Sequence, residues 1–425
     1  MIDFKIKDSN LEKEIIENKN LIEQAHDSLW NKKGIGNEML GWLDFPDNFN
    51  LNEVNEINEK VKKIKNLGID TLLVIGIGGS YLGSKAAIDF LKGSLNIDEK
   101  IYFAGINVSD SYIKQLENKL KNKNWAICVI SKSGTTLEPA ISFRYFKNLL
   151  LKKVGETKLK DLIVVVTDKE KGILKNLADI KGYQTFSIPD DIGGRFSVLT
   201  AVGLFPMSFA GIDILKFLEG TKKARKEFSN NDIKNNLAYK YALGRFLLFS
   251  KRKKVLEIFT TYDPDFMMLS EWLKQLFAES EGKNNKGIFP TSVTYSRDLH
   301  SLGQFIQDGN KVFFETTLFL LEDKKVFLNN DVENLDKLNY LNKKSFAEIN
   351  RVILNSVIES HANNAKIPNF LIFINERNEE TLGYLLFFFF ISVSISGYLL
   401  RINPFDQPGV EIYKKNMFTS LGKIS

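Results

Sequence analysis

Two carboxylates stand two positions apart in Phe277-Ala278-Glu279-Ser280-Glu281-Gly282-Lys283, where a helical stretch runs into a glycine turn. A carboxylate placed there can serve as a general base, because partial desolvation raises its pKa toward neutrality. Spacing alone does not choose between Glu279 and Glu281. Gln275 lies one helical turn before Glu279, on the same face. A second chemical group is delivered by the turn Gly193-Gly194-Arg195-Phe196-Ser197. Its guanidinium is charged at any physiological pH and suits the stabilisation of developing negative charge.

Two further segments carry the chemistry of anion binding. An apolar run ends in Gly76-Ile77-Gly78-Gly79-Ser80, just before a helical stretch. Such a junction offers free backbone N–H groups and a helix dipole, and glycine lets the backbone come close. It is not a dinucleotide fingerprint: the third glycine slot is Tyr81, and the next strand ends in Phe103-Ala104-Gly105-Ile106-Asn107 with no acidic residue. The other segment is Ser131-Lys132-Ser133-Gly134-Thr135-Thr136, with four hydroxyls in six residues beside a glycine. One such hydroxyl would be a plain helix cap. A cluster at a second strand–helix junction favours a cup for a terminal phosphate monoester.

The elements that must position these groups follow from periodicity. Apolar runs at 71–75, 100–104, 125–130, 162–167 and 183–188 alternate with helical stretches at about 80–92, 110–120, 136–152 and 170–178. Apolar strands separated by helices predict a parallel sheet covered on both faces. Its first and third strands then meet at the topological switch point, so the two anion-binding junctions converge. The pattern returns with strands at 255–259, 312–317 and 370–374 and helices over 232–250, 265–280, 346–364 and 378–399. The fold class expected is α/β, with two doubly wound parallel-sheet domains in three α/β/α layers and extra terminal helices. Residues 1–50 read as an amphipathic helical segment packing on the second domain. Residues 51–205 form the first domain with the phosphate cradle, and 206–425 the second, the boundary falling near Phe205-Pro206.

Composition bounds the classes. The chain has 425 residues, 44% hydrophobic and 26% charged, enough for full cores without staples. Its formal charge, 58 − 52 = +6, is too diffuse to imply nucleic acid. Lysine runs at 251–254 and 343–344 read as solvated surface. The single cysteine, Cys128, sits in an apolar run, which excludes internal disulfides and cysteine metal clusters and fits a reducing compartment. The N-terminus lacks the apolar stretch of a signal peptide. The apolar stretch 384–400 is slightly short for a membrane span and carries three serines, so it reads as a buried core helix. A cytoplasmic location without membrane partners follows as the expectation. Separated histidines and a lone cysteine present no metal-ligand spacing, so no metal and no cofactor are expected.

The segments VIGIGGSYLGSKAA (74–87), SKSGTTLEP (131–139), GGRFS (193–197), FAESEGK (277–283) and FDQPGVEIYKK (405–415) together resemble the phosphoglucose isomerase family in its compact bacterial form. The resemblance runs from about Leu72 to Lys414. The GGRFS and DQPGVE segments are specific to that family, whereas the glycine turn and SKSGTT belong to the wider sugar-isomerase fold. The resemblance implies interconversion of glucose 6-phosphate and fructose 6-phosphate through a cis-enediolate. It assigns Glu279 as the base that carries the proton between C2 and C1, and Arg195 as the stabiliser of the enediolate. It makes His300, followed four residues on by Gln304, a ring-opening residue that reaches in from the partner of a homodimer, so that each active site is composite. It selects Lys414 over the adjacent Lys415 for ring opening. Gly79, Ser80, Ser131, Lys132, Ser133 and Thr136 become phosphate contacts, and Gln275 and Gln407 substrate contacts. Pro408 departs from relatives that carry a bulky aromatic there. His26 and His361 read as structural.

Particular residues also bear on three other readings. A glutamine-dependent aminotransferase on the same fold needs an N-terminal cysteine, and this chain begins Met1-Ile2-Asp3. A bifunctional glucose/mannose phosphate isomerase would share the site and differ in substrate profile. A non-catalytic sugar-phosphate sensor would not need the complete set of Glu279, Arg195, His300 and Lys414.

Overall fold

The computed structural model describes residues 1–95, 100–321 and 324–422. Its strands, in chain order, are β1 (Ile2–Ile6), β2 (Thr71–Ile75), β3 (Ile101–Ala104), β4 (Trp125–Ile130), β5 (Ile163–Thr167), β6 (Gln184–Ser187), β7 (Leu256–Thr261), β8 (Phe289–Thr294), β9 (Phe313–Leu320) and β10 (Asn369–Ile374). They form two five-stranded sheets, ordered β3-β2-β4-β5-β6 and β1-β10-β9-β7-β8. Strands β2, β4 and β5 are buried at every position, as parallel strands covered on both faces must be. The first sheet is parallel throughout, and β2 lies beside β4. The two anion-binding junctions therefore leave neighbouring strands.

The second sheet corrects two expectations. It is mixed rather than purely parallel, because β1 pairs antiparallel with β10, Phe4 opposite Ile372. The first fifty residues are thus not wholly helical: helices Ser9–Glu17, Asn20–Trp30 and Gly41–Asn48 follow a strand. The alternation Ile2, Phe4, Ile6 carried that signal, but five residues are too few to outweigh the helical pattern after them. Strand β8 is also unforeseen. It begins Phe289-Pro290 and is largely polar, which suits the outer edge it occupies beside β7.

The boundary drawn near Phe205-Pro206 falls inside the helix Ala201–Phe209, which is buried along its whole length. One hydrophobic cluster runs from the first sheet through this helix into the second sheet, so the chain passes between the halves through core rather than through a linker. Asp265, after β7, adds a polar tie. It accepts from the Ser94 N–H (2.6 Å) and hydroxyl (2.7 Å) and from Arg377, which also donates to Asp263 and to the Phe90 carbonyl.

The apolar stretch near the C-terminus is the helix Glu379–Leu399, the one helix among the described residues long and apolar enough to cross a membrane; 89% of its most apolar window is buried inside the protein. It packs on helix Ile214–Phe228 at glycine distance: a Cβ on Gly383 would collide with the Phe217 carbonyl, and one on Gly220 with that of Glu380. The phenylalanine run 387–390 fills the core. Phe390 and Trp42 both lie against Phe196, each with ring centroids 4.9 Å away. That aromatic stack supports the turn carrying Arg195.

Candidate active site

The two carboxylates close the helix Met267–Glu281. Successive residues on a helix turn by about 100°, so its last three residues face different surroundings. Glu281 is fully buried, with both oxygens on the guanidinium of Arg245. It is sealed from solvent because helix Leu237–Ser250 brings an arginine onto that face. Glu279 keeps 30% of its side chain exposed. Its Oε2 lies 3.5 Å from the Arg195 guanidinium, and its Oε1 accepts from the Gln275 amide at 3.2 Å, one turn earlier. Between them, Ser280 accepts from Arg195 Nε at 2.8 Å.

Arg195 is only 2% exposed, and all three of its guanidinium nitrogens are held. Besides Ser280 and Glu279, it donates to the carbonyls of Pro404 (2.6 Å) and Asp406 (3.1 Å). Burial pushes its pKa down to about 10, against the opposing pull of Glu279 and Asp406. The group thus stays cationic at neutral pH in a place where its field is poorly screened. Lys283 forms the outer wall: it pairs with Asp406 Oδ1 at 2.8 Å and donates to the Asn403 carbonyl. Burial lowers its pKa, and the nearby Arg195 adds to that, while Asp406 opposes it.

The glycine turn after β2 is pressed against this cation turn. A Cβ on Gly79 would collide with the Gly194 carbonyl, and one on Gly78 would stand 3.0 Å from the Gln275 amide nitrogen. The buried Gln275 Oε1 has no hydrogen-bond partner among the described residues. Gly79 and Ser80 of the cradle are in this way joined to Gln275, Glu279 and Arg195.

At the end of β4, Ser131 is buried and accepts from the Gly134 N–H at 3.1 Å, so its hydroxyl shapes the loop. The Ser133 and Thr135 hydroxyls are exposed and lie 2.8 Å apart. Thr136 is the N-cap of helix Leu137–Val154, yet its exposed side chain makes no capping bond. Lys132 reaches the carbonyls of Pro189 (3.3 Å) and Asp190 (3.0 Å), tying the hydroxyl loop to the segment that enters the Arg195 turn.

A sequence profile of the family described as phosphoglucose isomerase matches residues 52–422. The chain belongs to the phosphoglucose isomerase family. It is 49% identical over 407 residues to a glucose-6-phosphate isomerase of Mycoplasmopsis pulmonis, covering 95% of this chain and 94% of that one. Over 426 residues it is 47% identical to a glucose-6-phosphate isomerase of Mycoplasma mycoides subsp. mycoides, covering 100% of this chain and 99% of that relative. Among solved structures, a hypothetical protein of Thermus thermophilus superposes with a TM-score of 0.89 at 27% identity, covering 99% of this chain and 100% of that one. A glucose-6-phosphate isomerase of Chlamydia trachomatis shares the fold, with a TM-score of 0.73 at 20% identity, covering 97% of this chain and 85% of that one.

The other residues that the resemblance to phosphoglucose isomerases selects stand apart from this cluster within the chain. His300 caps the short 3₁₀ helix Arg297–Leu299; its ring is exposed and makes no hydrogen bond or ion pair with the described residues. Lys414 lies on helix Glu411–Ser420, which has no buried residue, and its amine pairs with Glu411 at 2.8 Å. Gln407 is exposed, but it directly follows Asp406, whose carbonyl Arg195 holds. His361 is structural in setting: it is buried on the turn Glu359–Asn364, 3.1 Å from the buried Glu315. Sequence reading missed Ser280, Lys283 and Asp406 as parts of the site. All three lie inside the family segments, but neither a serine nor an ion pair between positions 283 and 406 has a local signature.

Proposed function

We propose that this chain is an aldose–ketose isomerase of glycolysis and gluconeogenesis that interconverts glucose 6-phosphate and fructose 6-phosphate. The observation that carries the reading is the meeting, at one point, of a partly exposed carboxylate, a buried guanidinium and a glycine turn. Family membership and the activity named for the relatives give that constellation its substrate class.

In this reading the phosphate sits against Gly79 and Ser80 and the hydroxyls of Ser131, Ser133 and Thr136, with Lys132 nearby. Anchoring the phosphate makes proton transfer effectively unimolecular. Glu279 removes the proton from C2 of the open-chain sugar and returns it to C1. Arg195 stabilises the charge that gathers on the C1–C2 oxygens of the cis-enediolate. Gln275 offers its unsatisfied carbonyl to a sugar hydroxyl, and Gln407 closes the same side. The cyclic sugar is opened first, by His300 of a second subunit acting on the ring oxygen and Lys414 assisting. The exposed ring of His300, which makes no hydrogen bond or ion pair with the described residues, is available to a neighbouring subunit, and this supports a homodimer with composite sites. The protein works in the cytoplasm, where its substrate is made.

The decisive assay converts fructose 6-phosphate to glucose 6-phosphate, with a coupled dehydrogenase and no added metal. Turnover is expected. Retained sugar-phosphate binding without turnover would replace the isomerase reading with that of a sensor.

A further inference from the structure

One charged group deep in the protein is given no role by that reading: the guanidinium of Arg245, fully buried in helix Leu237–Ser250. Its Nε donates to Glu257 Oε2 at 2.8 Å, and its two terminal nitrogens take the two oxygens of Glu281, the longer bond being 3.2 Å. It also donates to the Ser396 hydroxyl at 2.9 Å and lies 4.1 Å from the centre of the Phe277 ring. Glu257 is satisfied further by the hydroxyls of Tyr241 and Thr316.

One buried cation thus faces two buried carboxylates. For stability alone a single carboxylate would balance the charge, and the C-terminal end of a helix is the least favourable place for a buried anion. Glu281 nonetheless stands at that end, as the last residue of the helix that bears Glu279. The three terminal residues are each held by an arginine: Glu279 and Ser280 by Arg195, Glu281 by Arg245. A two-bond fork resists rotation in a way a single hydrogen bond does not.

We propose that Arg245 is a positioning residue for the isomerisation: its fork on Glu281 sets the rotation of the helix end and thereby the placement of the Glu279 carboxylate against Arg195. This rests on the reading of Glu279 as the base. Displacing a reacting group by about 1 Å can cost roughly 10²-fold in rate.

Glu281→Gln is the first test. It keeps the size of the side chain and leaves one cation facing one carboxylate, so the fold should hold, but the amide presents the fork with a single acceptor. The expected result is a cooperative melt near that of the wild type, KM within about twofold, and kcat lower by about 10- to 100-fold. Exchange of the C2 proton with solvent should fall in parallel. Arg245→Lys, which keeps the charge and loses the fork, should show the same split. Because either variant could fail to fold, a third replaces the network with neutral side chains: Arg245→Met, Glu257→Gln and Glu281→Met together. Such replacements are often tolerated. Wild-type kcat in any of these folded variants would overturn the inference. If Glu279→Gln abolishes C2 exchange while Glu281→Gln is fully active, only this inference fails. If Glu279→Gln leaves exchange intact, the reading beneath it fails instead.

Discussion

Glu279 and Glu281 close the same helix two residues apart, and one is 30% exposed beside Arg195 while the other is sealed against Arg245. Identical side chains have acquired opposite surroundings. The buried one is closed off from solvent. The exposed one lies 3.5 Å from a buried cation whose field is poorly screened.

Glu279→Gln should therefore leave sugar-phosphate affinity near that of the wild type and lower turnover by about 10²–10⁴-fold. Loss of C2 proton exchange, followed by NMR in deuterated water, checks the assignment. Persistent exchange would move the base elsewhere.

Arg195→Lys keeps a charge but cannot hold Ser280, Pro404, Asp406 and Glu279 together. Turnover should fall by about 10²–10³-fold, with a much smaller change in KM. A variant that lost only affinity would show that Arg195 binds the ground state instead.

If His300 serves a neighbouring subunit, two inactive variants should rescue each other. Glu279→Gln and His300→Ala, unfolded and refolded together in equal amounts, give hybrid dimers with one intact site. About a quarter of wild-type activity is then expected from random assembly of a twofold dimer. No recovery, with dimers demonstrated, would place both residues in one chain's site.

The pH dependence has a stated sign. Burial lowers Arg195 to about 10, so turnover should hold through neutral pH and decline through an alkaline limb near pH 10 as the guanidinium loses its proton. Stability from this group runs the other way. Its folded pKa lies below its unfolded one, so the burial penalty is full below pH 10 and is relieved as pH rises above it. A limb that vanishes in Lys283→Met belongs to the lysine rather than to Arg195.

Asp265 joins the two halves. Burial works to raise its carboxyl, but the N–H and hydroxyl of Ser94 and the guanidinium of Arg377 outweigh it, and its pKa is lowered below 3.8. It adds stability that is full above that value and is lost as pH falls through the lowered one. Asp265→Ala should cost roughly 1–3 kcal/mol, measured by urea unfolding at pH 7, with a smaller difference from the wild type in strong acid.

Much of the first sheet was legible because a parallel strand buried on both faces is an apolar run, and a run such as 162–167 has no other good use. The glycine turn and the hydroxyl cluster were legible because their chemistry is local. The edge strands were not. Strand β1 finds its partner at Asn369–Ile374, near the other end of the chain, and β8 is polar because one of its sides has no neighbour.

From its sequence alone this protein is determined as an α/β chain with a glycine turn and a hydroxyl cluster at two strand–helix junctions, a glycine-delivered arginine, and a carboxylate pair at a helix end. These are properties of neighbours in the chain. Which carboxylate stays open to solvent is not, because two residues along a helix is roughly half a turn, and the face that is buried depends on what packs there. Helix Leu237–Ser250 brought Arg245 to Glu281, and the turn after β6 brought Arg195 to Glu279. Only the tertiary structure could make that choice, since the desolvation and pairing that separate the two carboxylates come from residues dozens of positions away.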